Sequence, residues 1–264
     1  MSCRIRRIVL SGFTCCVLLG TPAARAQVSV KPSVEPSVGH SMALPKAPGL
    51  GDLFAQAAKD LVRIPTKDNL VTLAIGGALA TATHLADAPV TRGLSGAQLL
   101  EEPLEPGEFM GGAIAQFGGA LATYSLGRAT GSARVAVGAD LVRAQLVTQA
   151  LTQGLKFAVG RTRPDGASRS FPSGHTSTTF ATATVLQQHF GWKAGVPAYA
   201  LATYVAANRL QSKRHYLSDV IFGATLGIVS ARSITLGRGG HRFAMSPMVT
   251  PGGAGLAFVR IGGR

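Results

Sequence analysis

Two stretches of the chain, 69–86 and 109–127, carry no Asp, Glu, Lys or Arg. Uncharged runs of this length have to be covered by protein or by lipid, since apolar area left in water costs free energy roughly in proportion to its extent. Both are rich in Gly and Ala, residues that let helices approach closely. Residues 134–159 read as an amphipathic helix. Val147, Leu151 and Leu155 recur every four residues, and Gln145, Gln149 and Gln153 line another face. Helical stretches are also expected at 175–190, 193–208 and 215–233. With 46% hydrophobic and only 14% charged residues, the chain is too apolar to be disordered. The expected fold is all-α, a bundle of about six core helices within residues 52–236.

A membrane span needs about 20 mainly apolar residues. Only the first two stretches approach that length; the apolar parts of the later ones, 194–208 and 220–231, fall short of it. The pattern fits six weak spans or six buried helices of a soluble bundle.

The flanks differ in character. Arg4, Arg6 and Arg7 precede a short apolar run, and Ala24-Arg25-Ala26 is a small-x-small cleavage signal. Residues 1–26 therefore read as a signal peptide, with Arg6-Arg7 also permitting a twin-arginine route. Cys3, Cys15 and Cys16 all precede the cut, leaving the mature chain without a thiolate or a disulfide. Residues 27–51, with Pro32, Pro36, Pro45 and Pro48, read as a linker. Residues 237–264 form a tail in which 243–249 and 255–261 flank Pro251-Gly252-Gly253, the pattern of a β-hairpin that would pack on the helices.

The net charge is +14, and removal of Arg4, Arg6, Arg7 and Arg25 leaves the mature chain still clearly basic. That surplus favours anionic partners such as phosphate esters or anionic lipid. No zinc-finger spacing or aromatic-rich basic strand points to nucleic acid.

Three short segments can handle a phosphate ester. Cleaving a phosphate monoester takes cations around the non-bridging oxygens, an in-line nucleophile and an acid for the leaving oxygen. In Lys156-x6-Arg163-Pro164, Lys156 supplies a point charge at a helix end. Arg163 supplies a planar fork where Pro164 should turn the chain. In Pro172-Ser173-Gly174-His175, Ser173 and Gly174 can present a hydroxyl and N–H groups at a helix N-terminus, and His175 suits a general acid. In Asn208-Arg209-x5-His215-x3-Asp219, His215 and Asp219 are four apart on an expected helix. Asp219 can fix the imidazole tautomer, leaving the other nitrogen free to attack. Arg209 adds a third cation. Each segment alone also fits a bland reading, as a cap, a turn or a surface pair.

Together and in order they resemble the signature of the type 2 phosphatidic acid phosphatase/haloperoxidase superfamily: K-x6-R-P, P-S-G-H, S-R-x5-H-x3-D. The match runs from Lys156 to Asp219 and departs at one specified position, Asn208, where the family usually has Ser. The resemblance implies a metal-free mechanism in which His215 forms a phosphohistidine and Asp219 orients it. His175 would protonate the leaving alcohol, and Lys156, Arg163, Arg209, Ser173 and Gly174 would hold the phosphoryl oxygens. Arg161, basic and adjacent to the site, is expected to tune substrate binding. Glu101, Glu102, Glu105 and Glu108 are expected to form a solvated loop, not a metal site. His40 lies in the linker, and His84, His189 and His241 have no ligand-like spacing.

The leading expectation is a phosphatase acting on a lipid phosphate or diphosphate, exported and held at the membrane facing the periplasm. A soluble periplasmic acid phosphatase of broad specificity is the alternative. The resemblance also admits a vanadate-dependent haloperoxidase, in which vanadate would be the only cofactor. The two histidines and Asp219 argue against a non-catalytic lipid binder.

Overall fold

A computed structural model describes residues 48–132, 134–235, 242–250 and 253–261. The signal peptide, most of the linker, the three cysteines, His40 and His241 lie outside the described residues. Among those described are ten α-helices: α1 (Leu50–Val62), α2 (Lys67–Thr83), α3 (Asp87–Gly96), α4 (Glu101–Leu104), α5 (Pro106–Gly111), α6 (Ala113–Ala129), α7 (Arg134–Val159), α8 (Gly174–Phe190), α9 (Trp192–Gln211) and α10 (Leu217–Thr235).

The expected stretches correspond to α2 and α6–α10, but the count of six is too low. Helix α1 begins inside the segment read as linker. Its start is closed by the Asp52 carboxylate, which accepts from the Gly49 N–H at 2.8 Å, and its apolar side buries Leu53 and Ala57. Helices α3, α4 and α5 contain Pro or Gly, poor helix formers by propensity, and all three pack on α9. Tertiary contact makes them helical where local preference does not.

Helix α10 sits at the centre, packed on α8, α2 and α7, while α7 also contacts α6, α8 and α1. The α8–α10 approach depends on two glycines one turn apart. A Cβ on Gly227 would lie 2.2 Å from the Ser177 carbonyl oxygen, and one on Gly223 would lie 2.7 Å from that of Ser173. Any larger residue would push α10 off the first turn of α8. Val142, Val147, Val185, Val229 and Ile234 fill the core. Gln145, expected on a polar face, is buried there and donates to the Thr178 carbonyl at 3.1 Å and the Thr182 hydroxyl at 2.8 Å.

Two helical segments are long and apolar enough to cross a membrane, Lys67–Gly96 and Leu217–Ile234. The second is largely interior to the bundle. The first is mostly uncovered, and Leu70, Val71, Ile75 and Leu79 on α2 are each more than half exposed. The pair differs from the one expected: α2 keeps its place, while α10 takes that of the stretch at 109–127.

Beyond the helices, β1 (Arg242–Thr250) and β2 (Gly253–Ile261) pair antiparallel, from Arg242 with Ile261 to Thr250 with Gly253. Pro251 and Gly252 of the expected turn lie outside the described residues. The all-α architecture is that of residues 50–235.

Candidate active site

Helix α7 ends at Val159 because Gly160 turns left-handed at φ 63°, with its N–H on the Lys156 carbonyl at 3.1 Å. The turn expected at Pro164 thus comes earlier, through a glycine cap. It leaves Lys156 in the last turn, buried, with its ammonium donating to the Arg169 carbonyl at 2.7 Å. Arg169 has φ 61°, an uncommon value for a non-glycine residue. Arg163 is half-buried, and its Nε has no hydrogen-bond partner in the protein.

Helix α8 starts at Gly174, packed 3.7 Å from Thr152 and 3.9 Å from the Lys156 side chain, measured from where a Cβ would stand. Ser173 is fully buried. Its N–H donates to the Asp219 carbonyl at 3.0 Å, and its hydroxyl pairs with that of Thr176 at 2.9 Å. Ser173 therefore ties α8 to α10, and the expected presentation of its N–H and hydroxyl to a ligand is not seen.

His215 is expected on a helix, but α10 begins two residues later at Leu217. The carbonyl of Arg209 accepts from the N–H groups of Arg214 and His215 at 3.1 Å each, which folds the α9–α10 connection tightly. His215 Nδ1 still faces Asp219, 3.7 Å from Oδ2. Asp219 is completely buried and held from several sides. Its Oδ2 accepts from the Ser170 hydroxyl and, at 2.9 Å, from the Tyr216 N–H, a helix-start bond in the manner of a capping box. Its Oδ1 accepts from Arg161 Nη1 at 2.7 Å.

Arg209 is buried against Asn208 and Glu108. Its Nε donates to Asn208 Oδ1 at 3.0 Å, and Nη2 donates to Glu108 Oε2. The same Glu108 carboxylate lies 3.7 Å from His175 Nε2 through Oε1. Asn208 Nδ2 donates to the Leu104 carbonyl at 2.8 Å. The residue that departs from the family pattern thus spends its amide on Arg209 and on the backbone of α4. A cavity of about 1160 Å³ opens beside this group, lined by Glu101, Glu102, Glu105, Glu108, Asn208 and Lys213 among others. The acidic segment is helical, which corrects the expectation of a loop, while its four glutamates are exposed to solvent as expected and Glu108 borders the site.

Burial pushes the His215 imidazole below its usual value, and the nearby charges of Lys156 and Arg163 act in the same direction. The shift, opposed by Asp219, favours the unprotonated form that a nucleophile needs. Burial, then Arg163, lowers the Lys156 ammonium to about 8. Burial, then Arg209, lowers His175 to about 4, with Glu108 opposing. The bond from Arg209 holds the Glu108 carboxyl below the usual carboxylate range. The arrangement pairs an unprotonated imidazole, backed by a carboxylate, with cations able to neutralise an incoming anion.

Sequence reasoning misses Ser170, Glu108 and Asp87. Asp87 is buried at the start of α3 and accepts from Arg161, from the Ser218 N–H at 2.8 Å and from the Ser218 hydroxyl at 2.6 Å. Nothing in the local pattern marks these three, because each acts through a partner far along the chain. Among the described residues, no group of three or more His, Cys, Asp or Glu is placed to hold a metal ion.

Residues 137–241 match the PAP2 superfamily model. Two curated relatives are lipid A phosphatases. A lipid A 1-phosphatase of Porphyromonas gingivalis is 42% identical over 78 residues, 28% of this chain and 18% of that protein. A lipid A 4'-phosphatase of Helicobacter pylori is 30% identical over 99 residues, 33% of this chain and 50% of that protein. The chain thus spans at most half the length of these relatives. The crystal structure of Aquifex aeolicus LpxE superposes with a TM-score of 0.50 at 22% identity, covering 56% of this chain and 93% of that one. That likeness bears on the helical fold.

Proposed function

We propose that this protein is a membrane-associated phosphatase that removes phosphate from a phosphate-bearing lipid through a phosphohistidine on His215. The observation that carries the reading is a buried imidazole with Nδ1 turned to Asp219 at 3.7 Å, among the charges of Lys156 and Arg163. With Nδ1 facing the Asp219 carboxylate, beyond hydrogen-bond length at 3.7 Å, Nε2 is the attacking atom. It forms the N–P bond as the P–O bond to the lipid breaks. His175, lowered to about 4 by burial and Arg209 in the free protein, takes up a proton as the bound phosphate dianion stabilises its imidazolium, and gives that proton to the departing oxygen. Water then attacks phosphorus, His175 takes a water proton, and the N–P bond breaks to release phosphate. Lys156, Arg163 and Arg209 neutralise the phosphoryl oxygens, with the backbone at Gly174 beside them. No step calls for a metal ion.

A lipid substrate is supported by the relatives, the exposed apolar side of α2 and the basic net charge. A signal peptide at 1–26 would deliver the chain to the periplasmic side. The test is phosphate release from detergent-solubilised protein. The panel comprises a diphosphorylated glucosamine lipid, phosphatidic acid, an isoprenyl diphosphate and water-soluble p-nitrophenyl phosphate, each with and without chelator. Turnover of a lipid, undiminished by chelator, is the expected result. Turnover confined to the water-soluble ester would favour the acid phosphatase reading, and loss with chelator would contradict the metal-free route.

A further inference from the structure

The catalytic carboxylate of the proposed mechanism is held by a cation that the motif does not specify. Arg161 Nη1 donates to Asp219 Oδ1 at 2.7 Å and to the Ser218 hydroxyl at 2.8 Å, and Nη2 donates to Asp87 Oδ2 at 2.8 Å. Its guanidinium lies 4.1 Å over the Tyr216 ring. Asp87 in turn accepts from the backbone and hydroxyl of Ser218, the residue preceding Asp219. Arg161 is thus clamped at both ends, and each end fixes the first turn of α10. We propose that Arg161 is a positioning residue that orients the Asp219 carboxylate toward His215, with Asp87 as its anchor.

The geometry separates this role from phosphate binding. Arg161 already carries two carboxylates within 2.8 Å, so its charge is spent and an added phosphate would meet their repulsion. It borders a cavity of about 420 Å³ with Val159, Phe171 and Phe222, which neither Lys156, His175 nor His215 lines. The division of Asp219 is also specific. Arg161 takes Oδ1, while Oδ2 is the oxygen nearest His215. The planar guanidinium spans the two carboxylates, Nη1 on Asp219 and Nη2 on Asp87, a fixed spacing that a single ammonium does not reproduce. The expectation that Arg161 tunes substrate binding gives way to an action through Asp219.

The proposal rests on the phosphatase reading, so wild-type turnover on the lipid panel is measured first. Arg161→Gln should then lower kcat by about 10- to 100-fold, the usual effect of removing a partner that orients a functional side chain. KM, and the inhibition constant of inorganic phosphate, should stay within about 2-fold, because Lys156, Arg163 and Arg209 are untouched. Arg161→Lys should recover part of kcat by keeping a cation at Asp219. Asp87→Asn should lower kcat in the same direction by a smaller factor. The acid limb of the kcat/KM profile should move to higher pH. His215 faces Asp219 from α10, Lys156 from α7, Arg163 from the following loop and His175 from α8. Loss of the Arg161 cation leaves the Asp219 charge freer to stabilise imidazolium.

A raised phosphate inhibition constant with kcat intact would make Arg161 a phosphate ligand and overturn the proposal, as would a kinetically silent Arg161→Gln. If that variant fails to fold, Arg161→Lys and Asp87→Asn carry the test by the same kcat-against-KM split. If the wild type turns over no phosphate ester, the functional reading fails by itself. The positioning claim is then decided by ¹⁵N NMR of the His215 ring at neutral pH. The Nδ1–H tautomer should dominate in the wild type and lose population in Arg161→Gln or Arg161→Lys; an unchanged ratio would refute it.

Discussion

Glu108 and Arg209 form an ion pair between α5 and α9, and the same carboxylate reaches to 3.7 Å from His175. An anion from the chain thus bridges a cation and a histidine that the proposed mechanism assigns to the substrate. Incoming phosphate must take Arg209 over from Glu108. Glu108→Gln should therefore lower KM and the inhibition constant of inorganic phosphate by about 2- to 5-fold, the scale of a partly exposed ion pair. Steady-state kinetics with phosphate as competitor checks this. A rise in both constants would show that Glu108 helps to build the phosphate seat.

Lys156 gives the site an alkaline boundary. Its ammonium, lowered to about 8 by burial and by Arg163, is charged below that pH and neutral above it. The free enzyme should lose affinity for phosphate as pH rises through about 8, and kcat/KM should fall there. In kcat the limb should lie higher, since a bound dianion stabilises the ammonium. Lys156→Arg keeps its charge throughout and should show no limb near 8. A limb unchanged in Lys156→Arg would assign it to another group.

A second buried charge cluster has a structural role. Arg143 on α7 donates to Asp60 on α1 at 2.8 Å and to Asp140 at 3.0 Å, and Asp140 also meets His189 on α8 at 3.0 Å. Asp60, Asp140 and Arg143 are all buried. Arg143→Ala leaves Asp60 with only the longer contact to Arg63 at 3.7 Å and Asp140 with His189 alone, and should cost about 3–5 kcal/mol by denaturant unfolding. Arg143→Met combined with Asp60→Asn and Asp140→Asn should recover most of that loss. A small cost for Arg143→Ala would mean that water reaches the carboxylates.

The helical body is legible because its signals are local and periodic. The uncharged runs, the four-residue repeat of Val147, Leu151 and Leu155, and the motif spacing all survive in α2 and α6–α10. What is not legible depends on distant partners. Helices α3, α4 and α5 exist by packing on α9, against their own Pro and Gly content. Gln145 has the pattern of a surface residue and is a buried tie to α8. Glu108 has the pattern of solvated charge because Arg209, its partner, lies far along the chain on α9. The motif carries the chemistry of His215 and Asp219, while Ser170, Arg161 and Asp87, which hold Asp219 in place, bear no such mark.

The central claim is that His215 itself takes the phosphoryl group. The direct measurement is rapid quench into alkali, where phosphohistidine survives, during turnover of a lipid labelled with ³²P in its phosphate, followed by mass mapping of the labelled peptide. The account predicts label on His215, a burst of released alcohol equal to the labelled protein, and neither in His215→Ala. Label absent from the wild-type chain under turnover, or retained in His215→Ala, would contradict it.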